Sequence, residues 1–273
     1  MQKYQLAFIL GFFYHTVLFA GNINHPAGAR SSSLGSASVS LNDVWSGFNN
    51  QAGLAFLKTP ALGFHYENKF LVKEYALQAG VIALPHKPGT VAVNYSYFGF
   101  SKYHEAKVGL AYAMKLHRSI SVGVQINYHQ TYMAEGYGSN HALTVEAGLM
   151  YTPVENLFIG AHVFNPNRVK SSVIQEEYIP TVYRVGAGYN ILNKATLLFE
   201  TEKDLERSPV YKGGLEINAL KNLDFRVGFG SDYVEYTFGL GYKSRRLNFD
   251  LEFSHHYILG FTPHASITFN IGK

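Results

Sequence analysis

The chain has no cysteine, which excludes a disulfide framework, a thiolate metal site and a thiol nucleophile. Charge is also scarce. Only 15% of the 273 residues are Asp, Glu, Lys or Arg, against about a quarter in a soluble domain. Beyond residue 20 no stretch approaches the roughly 18–20 consecutive apolar residues that a spanning helix needs. The mean hydropathy of -0.04 likewise excludes a helical membrane bundle, and no segment carries a helical period. The formal charge of +4 and the pI near 9.0 come from bases scattered along the chain, many of them in turns. That distribution is ordinary surface charge and excludes a nucleic-acid stripe.

What is present is aromatic and small: 20 Tyr, 20 Phe and 26 Gly. From Leu62 onward, apolar and aromatic residues alternate with small or polar ones in blocks of about ten. Leu223, Phe225, Val227 and Phe229 alternate with Asp224, Arg226 and Gly228; Leu247, Phe249, Leu251 and Phe253 alternate with Asn248, Asp250 and Glu252. A period of two with one apolar face, repeated along a whole chain, is the pattern of strands that face lipid on one side and a lumen on the other. It predicts an all-β fold, a transmembrane antiparallel barrel of about fourteen strands in an outer membrane. The expected strands lie near 62–69, 74–84, 89–99, 104–114, 119–131, 141–151, 157–164, 181–190, 195–203, 210–218, 223–230, 234–243, 246–255 and 263–271. Short connections such as 85–88 and 152–156 alternate with mostly longer ones such as 132–140 and 165–180. Short periplasmic turns and longer outer loops give that asymmetry.

The region before the barrel reads differently. Lys3, an apolar stretch over 6–19 and the small pair Ala20 and Gly21 predict a secretory signal peptide over 1–20. Residues 21–61 lack the alternation, and Gly, Ala, Ser and Asn dominate 28–53. Such a segment cannot build a core alone, and a barrel of this size encloses more space than its wall side chains fill. The expected arrangement is a hatch over 21–61 inside a barrel over 62–273.

The run GARSSSLGSASVSLNDVWSGFNNQAGLA over 28–55 resembles the N-terminal hatch of the PorV/PorQ family of Bacteroidetes outer-membrane proteins, part of the FadL-like group of fourteen-stranded barrels. Gly28, Ala29 and Arg30 match its start, Asp43 its acidic position, and Asn50, Ala52, Gly53 and Leu54 its Asn-Pro-Ala-Gly-Leu box, with Gln51 in place of Pro. The resemblance implies a non-enzymatic accessory subunit of a protein secretion (type IX) or envelope-assembly system. The alternative is a FadL-like channel for uptake of small hydrophobic molecules. The implied partners are outer-membrane lipid and other envelope or secretion-system proteins, with no cofactor and no nucleic acid.

The strand faces opposite the apolar ones collect Lys107, Glu146, Arg184, Glu200, Glu202, Lys212, Glu216, Arg226, Asp250 and Glu252. Because both signs are interspersed, this lining reads as internal salt bridges rather than an ion-selective ring. Among the twelve His, the consecutive His255 and His256 point to opposite sides of a strand, so no metal site is expected of them. Glu252, Ser254 and His256 share one side and form a hydrolase-like set on paper. Tyr103, Tyr128, Tyr151, Tyr189, Tyr211 and Tyr242 sit near strand ends, where interfacial girdles place amphipathic rings.

Overall fold

The computed structural model describes residues 24–171, 177–232 and 235–272; the expected signal peptide lies outside the described residues. Fourteen antiparallel strands close into one barrel. The first half comprises β1 (Ala61–Asn68), β2 (Ala76–Pro85), β3 (Gly89–Phe100), β4 (Tyr103–His117), β5 (Ile120–Met133), β6 (Gly138–Val154) and β7 (Leu157–Phe164). The second half comprises β8 (Val182–Ile191), β9 (Ala195–Asp204), β10 (Val210–Leu220), β11 (Leu223–Gly230), β12 (Glu235–Lys243), β13 (Leu247–His256) and β14 (Gly260–Asn270). Each strand pairs with its sequence neighbours. Closure comes from β1 against β14, in a register running from Ala61 opposite Asn270 to Glu67 opposite His264.

The alternation in the sequence becomes two faces. Phe225, Val227 and Phe229 are exposed on the outer wall, whereas Asp224 and Arg226, which alternate with them, are buried. This is the reverse of a soluble domain, because here the apolar side chains meet lipid and the polar ones meet the interior. The short turns, such as 118–119, 155–156 and 221–222, lie at the same end of the barrel as the start of β1 and the end of β14. Three register shifts, at Lys115/His117, Tyr151/Val154 and Asn218/Leu220, also fall at that rim, where β-bulges relax the ladder as it ends.

The outer loops differ from expectation. Strands β5 and β6 pair as far as Met133 opposite Gly138, so their loop is confined to 134–137 and not 132–140. Strands β3 and β4 are joined by 101–102 alone. Cross-strand hydrogen bonding continues above the apolar belt wherever two neighbours can still pair, and this shortens loops that composition makes look long. The longest connection, 165–181, carries a ribbon of Lys170–Ser171 with Glu177–Tyr178.

Residues 24–60 pack against the inner wall. They form helices α1 (Ala29–Ser32) and α2 (Ser46–Asn49) and a 3-10 turn, Gln51–Phe56. Ala27, Leu34, Trp45, Phe48 and Leu54 are 0%, 0%, 2%, 1% and 0% exposed, and most of them join Val81, Ala92 and Ala111 of the wall in one apolar cluster. Gly28 and Gly53 are dictated by close approach. A Cβ on Gly28 would stand 2.6 Å from Trp45 Cγ, and one on Gly53 would stand 2.5 Å from the Leu41 carbonyl oxygen.

The lipid belt gives a depth-dependent prediction. Phe238 is exposed at mid-wall, opposite Val227 and Phe253, and Leu220 is exposed at the short-turn rim. Phe238→Arg should destabilise the barrel by about 2–4 kcal/mol and Leu220→Arg by about 0–1 kcal/mol, read as denaturant midpoints in lipid vesicles. Equal costs would mean that Phe238 does not face the hydrocarbon.

Candidate functional site in the barrel lumen

The lumen holds an ion-pair network tied to the N-terminal segment. Arg30, on α1, grips Glu216 of β10 with two hydrogen bonds, Nε to Oε2 at 2.9 Å and NH2 to Oε1 at 2.8 Å. Its third nitrogen donates to Asp43 at 3.0 Å. Glu216 also accepts from Arg226 Nε at 2.7 Å, and Arg226 reaches Asp250 at 2.7 Å and Asp224 at 3.2 Å. Lys243 closes the chain on Asp224 at 2.5 Å. Burial opposes the charge on Arg30, but Glu216 and Asp43 outweigh it and move its pKa upward. A planar guanidinium suits this position, since its fork holds one carboxylate with two parallel hydrogen bonds and leaves a further N–H for a second.

A second network runs along the wall from β4 to β10. Glu146 accepts from Gln51 Nε2 at 2.8 Å and from Asn127 at 2.9 Å, contacts His162 at 2.9 Å, and faces Lys107 at 3.8 Å. Gln51 stands where the resembled family carries Pro, and here its amide is an anchor of the segment. Arg184 donates to the Asn49 carbonyl and faces Glu200 at 3.9 Å. Glu200 Oε2 accepts from the backbone N–H groups of Ser38 and Val39, both at 2.7 Å. Lys212, partly exposed, lies 3.7 Å from Glu200 and 2.6 Å from Glu202. Asn50 donates to Val39 O at 2.6 Å and to Leu149 O at 3.2 Å, while Ser121 donates to Ala52 O at 3.0 Å. The Ala29 N–H donates to Ser266 Oγ at 3.2 Å. In a region screened from water, such satisfied pairs hold both partners in place, whereas an orphaned one is costly.

Lys107, Glu146, Arg184, Glu200, Glu216, Arg226, Asp250 and Glu252 are all buried on the inner face. Glu252 stands apart from both networks; its close neighbour is His264, at 3.1 Å. The paper constellation of Glu252, Ser254 and His256 does not assemble. Ser254 donates to the Thr262 carbonyl at 3.5 Å, and His256 Nδ1 accepts from the Ile258 and Leu259 amides at 3.1 Å. Tyr103 departs from the girdle pattern: its hydroxyl donates inward to Glu105, which also contacts His25 at 2.9 Å. The other five girdle tyrosines are exposed on the outer wall, from Tyr151 at 43% to Tyr211 at 51%. His65 and Glu67 went unnoticed in the sequence, although their i, i+2 spacing on β1 puts both on the inner face.

No protein-family model matches the chain, and no curated protein matches it. Solved structures with the same fold are numerous. The Pseudomonas putida toluene transporter TodX is 10% identical, with a TM-score of 0.72 over 92% of this chain and 100% of its own. The Ralstonia pickettii toluene transporter TbuX is 10% identical, with a TM-score of 0.70 over 90% and 98%. A Pseudomonas aeruginosa FadL homologue is 10% identical, with a TM-score of 0.65 over 91% and 98%. The chain therefore has the fold of the FadL-like outer-membrane β-barrels, and its place is the outer membrane.

The Arg30 geometry predicts how firmly the segment is held. Ser33 is 0% exposed, and the chain has no thiol of its own, so Ser33→Cys reports departure of the segment through maleimide labelling. Breaking a buried pair costs about 3–5 kcal/mol, lessened here because the Arg30 side chain is 21% exposed and Glu216 retains Arg226. Arg30→Ala should speed labelling by about tenfold or more, equivalent to about 1.4 kcal/mol or more. Lys87→Ala, at an exposed turn position, should leave the rate unchanged. The same rate in all three proteins would remove Arg30 as an anchor.

Proposed function

We propose that the protein is a non-enzymatic channel that passes small hydrophobic molecules across the outer membrane, with the N-terminal segment acting as its hatch. One observation carries the reading: an apolar groove of about 480 Å³ in the lipid-facing wall over β1, β2 and β14. Outward-facing Gly80 and Ala265 leave a gap between the rings of Phe64, Tyr95 and Phe249, and the floor of the groove reaches inward-facing Ala79 and Ser266. An apolar solute partitions into such a cleft as it would into hydrocarbon, at about 25 cal/mol per Å² of apolar surface removed from water. The shared fold with toluene transporters supports this reading. Because the lumen is lined by charge, the hatch must yield before a solute that has entered the wall can move on.

A Cβ on Gly80 would meet nothing closer than 3.8 Å, so Gly80→Phe fills the groove without forcing the backbone. Cells carrying the barrel in their outer membrane should take up radiolabelled toluene faster than cells without it, Gly80→Phe should reduce that gain severalfold, and Arg30→Ala should increase it. Uptake equal to that of cells lacking the barrel would overturn the channel reading.

A second reading, a PorV/PorQ-like accessory subunit of a secretion or envelope-assembly system, is favoured by a different observation. The hydrogen-bonded segment and its two charged networks make a closed, mixed-sign interior, which suits a scaffold better than a conduit. Stable co-purification with other envelope proteins in mild detergent, together with toluene uptake at background level, is its expected signature.

A further inference from the structure

We propose that His65, Glu67 and His264 form a binding site for a borderline divalent transition-metal cation such as Zn²⁺, placed on the inner wall where the first and last strands meet. The barrel's closure creates the cluster. Glu67 of β1 pairs directly with His264 of β14, and His264 pairs with Glu252 of β13, so three side chains stand in one row across three strands. His65 lies two residues along β1 from Glu67, on the same face. One ligand atom from each of His65, Glu67 and His264 lies within 4.8 Å of the others.

The partner accounting at this cluster suits a cation. His65 is 4% exposed, and neither ring nitrogen has a hydrogen-bond partner. His264 Nδ1 is likewise buried and unpartnered. Glu252 is 0% exposed, and neither carboxylate oxygen makes a hydrogen bond of normal geometry, the donors beside it being Ser254 and His264. Among the described residues, no Lys or Arg lies within ion-pair distance of Glu67 or Glu252, in contrast to Glu146, Glu200, Glu216, Asp224 and Asp250. Two carboxylates and two imidazoles with no basic side chain paired to them among the described residues, Lys69 acting on His264 only from a distance, are balanced by one dication. Buried polar groups with no partner are otherwise costly.

The geometry also separates ligands from their support. His264 stands between the two carboxylates, with Nδ1 3.8 Å from Glu67 Oε2 and Nε2 3.1 Å from Glu252 Oε2. A proton on Nε2 turned to Glu252 leaves the Nδ1 lone pair facing His65 and Glu67. That is the carboxylate–histidine–metal arrangement in which the outer carboxylate fixes tautomer and ring orientation. Tetrahedral ligands about 2.0–2.1 Å from a metal stand about 3.3 Å apart, so small side-chain rotations bring the observed set to bonding distance. Two imidazoles with a carboxylate select zinc and its neighbours over calcium or magnesium, which prefer all-oxygen sites. Glu67 is one residue from the outer end of β1 and its side chain is 12% exposed, which gives a cation access from the outer mouth. Trp45 of the lumenal segment packs edge-on against His65 with ring centroids 5.8 Å apart, so a bound ion would brace both the strand seam and the segment beneath it.

The test is Zn²⁺ binding to the full-length mature barrel, untagged and metal-stripped in detergent, by calorimetry and elemental analysis. One tight Zn²⁺ per barrel is expected. His65→Gln and His264→Gln should each abolish it, and His141→Gln, at an exposed His, should preserve it. Glu252→Gln should weaken it by about 10- to 100-fold. Co²⁺ in the parent should show the visible absorption of a four-coordinate nitrogen and oxygen site, a readout that stands even where a variant fails to fold. A parent that binds no stoichiometric Zn²⁺, or folded His65→Gln and His264→Gln barrels that retain it, would overturn the proposal and leave the cluster as a neutral polar patch.

Discussion

No water in the hydrocarbon core of a bilayer can satisfy a free N–H or C=O, so the pairing of Ala61–Asn68 with Gly260–Asn270 is the contact on which the rest of this structure depends. Without it the sheet would present two open edges to lipid. With it, every strand is bonded on both sides and the outer wall needs only apolar side chains. The closure also joins parts of the chain that the sequence holds furthest apart, and residues such as His65 and His264 become neighbours through that single register.

Closure creates a second constraint, an enclosed volume. The wall side chains are too few to fill it, and an unpaired charge in such a space is expensive. Residues 24–60 meet both needs: they supply the apolar cluster around Trp45 and Phe48, and they supply Arg30, Gln51 and backbone amides to wall carboxylates, adding to the partners these have within the wall. Glycines on the inner face let the segment approach; a Cβ on Gly214 would stand 2.6 Å from the Leu34 carbonyl oxygen. The segment is held by polar contacts of individually modest strength, an arrangement that can be firm at rest and still give way locally.

The outer and inner faces thus serve different solvents. Lipid sets the composition of the outer wall, where Phe238 and Val227 lie. The inner wall is set by its own segment, where Glu200 receives two amide hydrogens and Glu216 receives two guanidinium groups. The groove at Gly80 and Ala265 is a place where small residues open a cleft in the outer wall between large aromatic side chains.

The period of two by itself determined the fold class, the number of strands and which residues share a face, because alternation along a strand is a local property that lipid enforces. Leu247 to Phe253 and Leu223 to Phe229 carry that information without any tertiary contact. The lengths of the outer hairpins were not legible, since pairing such as Met133 with Gly138 depends on a neighbouring strand and not on composition. Nor were the partners within the inner face. Parity places Glu216 and Glu252 alike, yet only the fold puts two arginines beside one and a lone histidine beside the other. That choice rests on strand register, barrel closure and the path of the N-terminal segment, which are long-range and appear only once the chain has folded.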